Sequence, residues 1–553
     1  MTMMVRLLLV SLVSIGLVSP LAAQTAPRGV VVAQEARAAR IGADVLARGG
    51  NAVDAAVAVG FAMAVTYPRA GNIGGGGFML IHLAASGLTS AIDYRETAPA
   101  AATRDMFLDA NGEADPKKSR DSALSIGVPG TVAGMAMALD RYGSGKFSLA
   151  DLIAPAIVLA RDGIPIEADV ADSLPFWSER MRRWPASAKI FLNTDRLVQR
   201  DLAATLAAIA RDGPDGFYKG RVAETLAAAI REAGGIMTTA DLANYRAIER
   251  MPMRGIYRGH TILSMPPSSS GGVVLVEMLN ILEGYHLGSL DAPARAHLLV
   301  EAMKRAYADR AVFLGDPEQV NAPLAQLTSK DYAATLRATI DPARATPGNA
   351  IRPVLAPRRE GSNTTHFSVM DAAGNAVSNT YTLNFSYGLG MVAEGTGVLL
   401  NNELDDFAAK PGAPNAYGLT GGEANAPGPG KRPLSSMTPT IVLKDGKAVV
   451  VTGSPGGSRI INAVLQVIVN TLDLKMPIGD AVAAPRLHQQ WIPEEVQAET
   501  AMPRDVVDGL IARGHRVMTI RPATSANSIA VAQDGAIVGA ADMRTRGALA
   551  AGE

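Results

Sequence analysis

The sequence predicts a compact fold that combines α-helices with β-strands, and three observations support this prediction. Apolar residues recur at helical spacing through most of residues 120–340. Residues 364–384 form two short stretches, partly alternating in polarity, on either side of a Gly374-Asn375 pair, which is typical of a β-hairpin. With 48% hydrophobic and 19% charged residues, the chain of 553 residues can bury one large core.

The N-terminal residues 1–23 resemble a secretory signal. They contain one basic residue, Arg6, an apolar run over residues 5–18 and a small-residue end. An apolar run of about 14 residues is too short to cross a bilayer and is typical of a cleaved signal. We expect cleavage after Ala23 and a periplasmic or secreted protein, with a retained anchor as the alternative. No later stretch of the sequence predicts a membrane span.

The composition excludes several classes of function. Lys plus Arg and Asp plus Glu are equal at 52 each, so no net field favours nucleic acid or an acidic membrane. Cysteine is absent, which excludes disulfides, thiol nucleophiles and thiolate metal sites. The seven histidines show no His-Glu-x-x-His spacing. We therefore expect a small-molecule partner, no metal and no cofactor.

Helical periodicity is clearest in a set of segments separated by Pro and Gly loops. The first two form an αα-hairpin, because Gly49 and Gly50 can end one helix and Asn51 can cap the next. The predicted helices cover residues 35–48, 52–65, 131–141, 149–161, 202–211, 222–233 and 294–313.

A glycine-rich run at residues 71–77 precedes a predicted strand at residues 78–83. Glycines there allow very close backbone approach. A phosphate cradle is a weak interpretation, because no Gly-Lys-Ser/Thr sequence ends the run. Residues 143–146 fail as a P-loop as well, since Asp140 stands where that motif requires glycine.

The C-terminal third predicts further strands and one functional turn. Strands at residues 440–443 and 448–452 are followed by the glycine turn 453–458 and a helix from Ile460 to Leu472. Such a turn leaves backbone N–H groups free to meet an anion or oxyanion, although a plain turn is an equal alternative. The long Gly, Pro and Ala loop at residues 408–430 predicts a lid, a binding loop or disorder.

Thr364 is the candidate nucleophile. The chain lacks the G-x-S-x-G motif of serine hydrolases, but a threonine can act if its own α-amine is the base, and this requires cleavage of the preceding bond. Thr364 follows an irregular, Pro- and Arg-rich linker at residues 341–363, where a cut is feasible. An α-amine has a pKa of about 7.7 to 8.0, which suits a base at neutral pH. Taken alone, the Thr-Thr pair is far more typical of an ordinary strand start than of a nucleophile.

From about residue 28 to its end, the sequence resembles the γ-glutamyltranspeptidases, which are N-terminal-nucleophile hydrolases. The resemblance depends on motifs in the same order along the chain, and they lie at residues 71–78, 93–96, 364–366, 400–407, 432–437 and 453–457. So many matches in order are highly specific. They override the alternative interpretations of each single motif.

The resemblance implies a role for each matching residue. The precursor would cleave itself between Asn363 and Thr364, and Thr364 would then attack the γ-glutamyl amide. Its amine would be the base, with the Thr382 hydroxyl bonded to that amine. Backbone N–H groups of Gly456 and Gly457 would stabilise the oxyanion.

Further positions match the residues that hold the substrate's amino acid end. Arg95 would bind the α-carboxylate, for which a guanidinium fork is suited, and opposite charges at the two ends would select a zwitterion. Ser435 and Ser436 would assist Arg95. The α-ammonium would be received by Asn384, Glu403 and Asp406.

The same resemblance implies an α+β fold, the four-layer αββα sandwich with two mainly antiparallel sheets. It also implies a signal at residues 1–23, a large subunit of residues 24–363 and a small catalytic subunit of residues 364–553, which form a heterodimer. Glutathione is the implied donor, and water, an amino acid or a dipeptide the acceptor. Residues 408–430 match the family's lid, with Tyr417 at its tip.

Two other functions are alternatives to this one. A cephalosporin or glutaryl acylase would share the fold, the cleavage and the nucleophile, but a glutaryl group lacks the amine that Asp406 would read. A secreted amino-acid-binding protein would need the charged clamps, but it would gain nothing from a scissile bond before Thr364.

Overall fold

The computed structural model describes residues 24–26, 29–351, 364–413, 415, 418–419 and 421–552. Three predicted features therefore lie outside the described residues: the signal at residues 1–23, the cleavage-site residue Asn363 and the lid residue Tyr417.

Strands occur from end to end of the described chain. They are β1 Gln24–Ala26, β2 Gly29–Ala33, β3 Gly76–Leu83, β4 Leu88–Tyr94, β5 Ile164–Pro165, β6 Arg196–Leu197, β7 Ile248–Arg250, β8 Met253–Tyr257, β9 His260–Ser264, β10 Thr365–Asp371, β11 Ala376–Thr382, β12 Val392–Ala393, β13 Val398–Leu399, β14 Thr440–Lys444, β15 Lys447–Thr452, β16 Leu487–His488, β17 Glu495–Glu499, β18 Arg516–Ile520, β19 Ser528–Val531, β20 Ile537–Ala540 and β21 Leu549–Gly552.

Helices fill most of the intervals between these strands. They are α1 Ala36–Ala47, α2 Ala52–Thr66, α3 Pro116–Arg120, α4 Thr131–Tyr142, α5 Leu149–Asp162, α6 Ala168–Arg182, α7 Pro185–Phe191, α8 Arg200–Asp212, α9 Asp215–Tyr218, α10 Gly220–Glu232, α11 Thr239–Asn244, α12 Gly271–Leu282, α13 Ala292–Phe313, α14 Leu324–Leu327, α15 Lys330–Arg337, α16 Gly348–Ile351, α17 Arg459–Leu472, α18 Ile478–Ala483 and α19 Arg504–Ala512. Short 3-10 turns lie at Ala123–Ser125, Leu287–Ser289, Glu403–Asp406 and Glu423–Asn425.

Two seven-stranded sheets form the centre of the molecule. The first has the order β21-β2-β10-β11-β3-β4-β7, and the second has the order β1-β20-β19-β15-β14-β9-β8. Every pairing within the two sheets is antiparallel. Both sheets combine strands that precede Thr364 in the chain with strands that follow it.

Alternating residues of one strand show how the layers stack. In β2, Val30 and Val32 belong to an apolar cluster that also contains Ile441 and Val451 of the second sheet. Val31, between them, packs with the helices on the outer face. The second sheet packs its other face against α12, α13 and α17. The period of two residues in strands thus yields the predicted four-layer αββα sandwich.

The local sequence predictions are confirmed in their essentials. Helices α1 and α2 form the expected pair, and Asn51 caps α2 by accepting from Val53 N and Asp54 N at 2.9 and 3.0 Å. The hairpin of β10 and β11, the strands β14 and β15 and the helix α17 also lie where they were predicted. Within the described residues, none of the helices has both the length and the apolar character that a membrane span requires.

Candidate active site

One pocket collects side chains from distant parts of the chain at the open end of the β10–β11 hairpin. About 300 Å³ of space outside protein atoms, part of it open to solvent, lies within it. Its lining consists of Arg95, Arg310, Thr364, Thr382, Asn384, Glu403, Asp406, Leu419, Leu434, Ser435, Ser436, Met437, Gly457, Ser458 and Ile460. The structure therefore brings together most of the residues that the sequence predicted.

Thr364 and Thr382 face each other across the hairpin. Thr365 pairs with Tyr381 in the antiparallel register, so the residues just before and just after this pair are neighbours. Thr364 is 5% exposed. The Thr382 hydroxyl oxygen accepts a hydrogen bond from Asn384 N at 2.8 Å, which leaves its proton for another acceptor.

The glycine-rich run braces this end of the hairpin. Asn72 Nδ2 donates to Thr382 O at 2.8 Å. A Cβ atom on Gly75 would lie 2.1 Å from the same carbonyl, and one on Gly74 would lie 2.1 Å from Leu399 O. The glycines are thus required for close backbone packing beside Thr382, as the sequence suggested, and not for a phosphate cradle.

His366 is a structural residue of the strand. Ser368 Oγ donates to Asn527 O at 2.9 Å, so it accepts from His366 Nε2, 3.0 Å away. His366 Nδ1 then accepts from Thr380 Oγ1 at 2.9 Å. Burial lowers the pKa of His366 to about 3. With both ring nitrogens occupied, this histidine is no general base for Thr364.

Arg95 lies at the base of the pocket and is paired with two carboxylates. It is fully buried. Its Nη1 contacts Glu403 Oε1, its Nη2 lies 2.5 Å from Asp406 Oδ2, and its Nε donates to Pro433 O at 3.1 Å. The predicted carboxylate-binding group and the predicted ammonium-binding groups are therefore paired with each other.

A third acid, Glu96, makes the cluster richer in carboxyl groups than in guanidinium groups. Its Oε2 lies 3.8 Å from Arg95 Nη1. Burial raises the pKa of Glu96 to about 7 and raises the pKa values of Glu403 and Asp406, although Arg95 opposes all three shifts. Three buried carboxyl groups crowd one guanidinium, which disfavours the simultaneous ionisation of all three.

The predicted ammonium-binding residues are held by backbone contacts. Asn425 Nδ2 donates to Asp406 O at 2.7 Å, and Glu403 N donates to Asn401 Oδ1 at 3.0 Å. Asn384 has a φ of 75° and donates from Nδ2 to Asn402 O at 2.9 Å. These bonds fix the turn that aims the acids at the pocket.

Arg310 is a site residue that the sequence analysis missed. It lies near the end of α13 and is 4% exposed. It donates from Nε to Ser270 Oγ at 2.9 Å and from Nη2 to Ser436 Oγ at 3.2 Å. A single arginine in a long helix gives no signal in the sequence, because α13 also buries Lys304 and Arg305 in ion pairs away from the pocket. Only the tertiary structure identifies Arg310.

The glycine turn before α17 has the predicted form. Gly456 and Gly457 have φ values of 134° and 56°, which favour glycine. Among the described residues, neither amide donates a hydrogen bond to a protein acceptor. Gly457 lines the pocket, whereas Gly456 lies next to it and is not part of the lining.

The described part of residues 408–430 contains backbone contacts and reaches the site at one residue. Asn415 N donates to Leu419 O at 3.0 Å, and Gly412 N donates to Gly421 O at 3.0 Å. Leu419 reaches the pocket lining. The predicted lid residue Tyr417 lies outside the described residues.

The described residues contain one compact group of potential metal ligands, His297, Glu301 and His515. Glu301, however, is paired with Lys304 at 3.0 Å and with Arg305 at 2.7 Å. His297 Nδ1 lies 2.7 Å from His515 Nε2. Two adjacent cations make this group unsuited to a metal ion.

Comparison with known proteins adds four findings. The sequence model described as Gamma-glutamyltranspeptidase matches residues 38–552. A glutathione hydrolase proenzyme of Escherichia coli is 50% identical over 540 residues, covering 95% of this chain and 92% of that protein. An Acylase ACY 1 proenzyme of a Pseudomonas species is 40% identical over 94% of this chain and 93% of its own length. Among solved structures, the cephalosporin acylase of Bacillus halodurans superposes with a TM-score of 0.85 at 26% identity and covers 99% of both chains.

Proposed function

The chain belongs to the γ-glutamyltranspeptidase family, and from this we propose that it is a glutathione hydrolase and γ-glutamyltransferase whose nucleophile is Thr364, exposed by self-cleavage. One observation carries the choice of substrate. A buried guanidinium, Arg95, and the carboxylates of Glu403 and Asp406 share one pocket with Thr364. Charges of both signs beside the nucleophile complement an amino acid zwitterion, which a glutaryl group is not.

Maturation begins at the bond before Thr364. The Thr364 hydroxyl attacks the Asn363 carbonyl, the acyl group moves from nitrogen to oxygen, and water hydrolyses the ester. The products are a carboxylate at Asn363 and a free α-amine at Thr364. The proposed chains are residues 24–363 and 364–553, which form one heterodimer.

The mature enzyme would use the same hydroxyl on a γ-glutamyl amide. Thr364 Oγ attacks the γ-carbonyl while the α-amine takes the hydroxyl proton and passes it to the leaving amine. Thr382 orients the amine. The free amides of Gly457 and its neighbour Gly456 would stabilise the oxyanion, a contribution of about 3 to 4 kcal/mol per donor in other hydrolases.

The α-carboxylate and the α-ammonium of the substrate would replace the ion pairs that Arg95 makes with Glu403 and Asp406. The α-carboxylate would bind Arg95 with help from Ser435 and Ser436, and the ammonium would bind Asn384, Glu403 and Asp406. Because the zwitterion carries both charges, it can separate Arg95 from its acids without leaving a buried charge unpaired. Water or the amine of an amino acid or dipeptide would then release the γ-glutamyl group.

The favoured location is the periplasm or the exterior of the cell. The support for this is the secretory character of residues 1–23.

An assay of purified protein with glutathione tests the proposed function. We expect release of glutamate and Cys-Gly, and a new γ-glutamyl dipeptide when a dipeptide acceptor is added. A glutaryl anilide should be a much poorer substrate than a γ-glutamyl anilide. Preference for the glutaryl substrate would favour the acylase, and binding of glutamate without turnover would favour the amino-acid-binding protein.

A denaturing gel tests the nucleophile. Wild-type protein should give two bands of about 20 and about 35 kDa, whereas Thr364→Ala should give one band and no activity. Thr364→Ser keeps a hydroxyl and should still split, and it is the matched control. Cleavage of Thr364→Ala at this bond would rule out self-cleavage by Thr364.

A further inference from the structure

Arg310 has contacts that the roles assigned so far do not use. It is a second buried guanidinium in the pocket, 4% exposed, and it lines the same wall as Ser435 and Ser436. Its Nε and Nη2 donate to hydroxyl oxygens, but its Nη1 has no hydrogen-bond partner among the described residues. Burial lowers the pKa of Arg310 to about 10, so the side chain is still charged at neutral pH.

The direction of the bond to Ser436 has a consequence for its hydroxyl. Because Arg310 Nη2 donates to Ser436 Oγ, the oxygen is the acceptor and its own proton is left to point elsewhere. Ser436 lines the pocket. A hydroxyl that accepts from a cation on the protein side is therefore oriented to donate to an anion on the pocket side.

Arg310 also fixes the backbone that carries the two serines. Its Nε donates to Ser270 Oγ, and that hydroxyl donates to Ser435 O at 2.7 Å. Ser270 N donates to the same carbonyl at 2.9 Å. One arginine thus holds the serine pair at two points, through the backbone of Ser435 and through the side chain of Ser436.

The charge balance of the pocket also depends on Arg310. The positive charge of Arg95 is already matched by Glu403 and Asp406. Three acids, Glu96, Glu403 and Asp406, are paired with the one guanidinium of Arg95, and Arg310 is a second guanidinium in the pocket lining. Without Arg310 the excess of acidic over basic groups would be larger and would disfavour the entry of a carboxylate.

We propose that Arg310 is a positioning residue that determines specificity for the substrate α-carboxylate, by presenting the Ser436 hydroxyl and by supplying the second positive charge. This inference rests on the proposed γ-glutamyl function. It assigns Arg310 no part in the chemical step, and it accounts for a carboxylate site at which the first guanidinium is already engaged.

The test compares two anilides in Arg310→Gln. One is the γ-glutamyl anilide, and the other is the 4-aminobutanoyl anilide, which keeps the ammonium and the scissile amide but lacks the α-carboxylate. We expect kcat/KM for the γ-glutamyl anilide to fall at least about 30-fold, mainly through KM, because a charge-assisted contact and a charge are lost. The value for the 4-aminobutanoyl anilide should change less than about threefold. An equal fall for both substrates would make Arg310 a purely structural residue.

A double-mutant cycle with Ser436→Ala tests the route through Ser436. If Arg310 acts through that hydroxyl, Arg310→Gln should cost clearly less in the Ser436→Ala background than in the wild type. If the two substitutions instead lower kcat/KM by independent factors that multiply in the double mutant, Arg310 does not act through Ser436. Arg310→Lys keeps the charge but has no fork that can bond Ser270 and Ser436 together. It should therefore show the same selective loss of kcat/KM at about a third of the size or less. If Arg310→Gln does not mature, Arg310→Lys alone tests the proposal.

Arg305→Gln is the matched control. It removes another buried guanidinium from the same helix, one bonded to Glu301 at 2.7 Å and absent from the pocket lining. It should lower stability but leave the ratio of the two kcat/KM values unchanged. The outcomes also separate this inference from the proposed function. If the wild-type protein does not hydrolyse the γ-glutamyl anilide, the proposed function is wrong, independently of the results for the Arg310 variants.

Discussion

At the scale of single residues, the charged groups of the site are paired with one another. Arg95 bonds the two acids that we expect to receive the substrate ammonium. Binding is therefore an exchange of ion pairs, and a ligand with only one of the two charges leaves a buried group without its partner. The preference for a zwitterion follows from this exchange.

Replacing Asp406 by asparagine should change specificity in both directions. Asn keeps the size and hydrogen bonding but removes the charge, so the ammonium loses a charge-assisted bond of about 1.5 to 3 kcal/mol. We expect kcat/KM for a γ-glutamyl anilide to fall at least about tenfold and kcat/KM for a glutaryl anilide to rise, with self-cleavage intact. Both values come from steady-state kinetics of the purified two-chain protein.

Asp405→Asn is the control for this substitution. Asp405 is also buried, but it accepts from Ser119 Oγ at 2.5 Å and does not line the pocket. Its replacement should change the ratio of the two substrates less than about threefold. If Asp406→Asn changes kcat/KM for both substrates by the same factor, Asp406 does not bind the substrate ammonium.

At the scale of elements, sequence periodicity predicted the helices, hairpin and turn that are determined by residues close together in the chain. The pair α1 and α2, the β10–β11 hairpin and the turn before α17 all have local signals, such as the cap at Asn51. The strands β8 and β9 were missed inside a region that we expected to be helical. They are short and separated by a two-residue turn, Arg258 and Gly259, and their pairing with distant β14 stabilises them.

The site was predictable in part for the same reason. Motif order located Thr364, Arg95 and Asp406, because each motif keeps its residue types together along the chain. The pairing of Arg95 with its own acids, and the approach of Arg310 to Ser436 from a helix 126 residues away in sequence, are tertiary facts without a local pattern.

The loop at residues 408–430 is tied to the site by Asn425. This side chain donates to Asp406 O at 2.7 Å and accepts from Leu434 N at 2.9 Å. Asn425→Ala leaves both buried groups unpaired, which costs about 1 to 3 kcal/mol. We expect KM for the γ-glutamyl anilide to rise about tenfold with little change in kcat. Kinetics at saturating and limiting substrate would measure this.

An exposed contact of the same loop provides the comparison. Lys410 pairs with Glu113 at 2.7 Å, but both side chains are largely exposed. Lys410→Gln should leave KM within about twofold, because exposed ion pairs contribute little. Equal effects of the two substitutions would mean that the loop acts as a whole, without a specific tie at Asn425.

At the scale of the whole molecule, buried neutral histidines predict acid sensitivity. Burial lowers the pKa values of His366, His488 and His515 to about 3. In the unfolded chain a histidine has a pKa of about 6.5. The stability that these groups contribute is therefore complete above pH 6.5 or so and is lost as the pH falls toward 3. At pH 5 each of these histidines would lower the free energy of unfolding by about 2 kcal/mol relative to neutral pH.

Denaturant unfolding between pH 7.5 and 4.5 would measure this loss. His488 contacts Asn462 and Gln490 at 2.7 and 2.8 Å. Because glutamine does not take up a proton on unfolding, His488→Gln should reduce the loss of unfolding free energy at acid pH. His286→Gln, at an exposed position, is the control and should leave this loss unchanged. A pH-independent midpoint in the wild type would contradict the prediction.

The interleaving of strands in both sheets has a consequence for the life of the mature enzyme. In the first sheet, β10 and β11 lie between β2 and β3, and β21 lies beyond β2. Under the proposed maturation the bond before Thr364 is cut, so unfolding would become dissociation into two molecules and refolding would become a second-order reaction between them. Heat or dilution that opens the sandwich would thus inactivate the cut enzyme far more permanently than its uncut precursor.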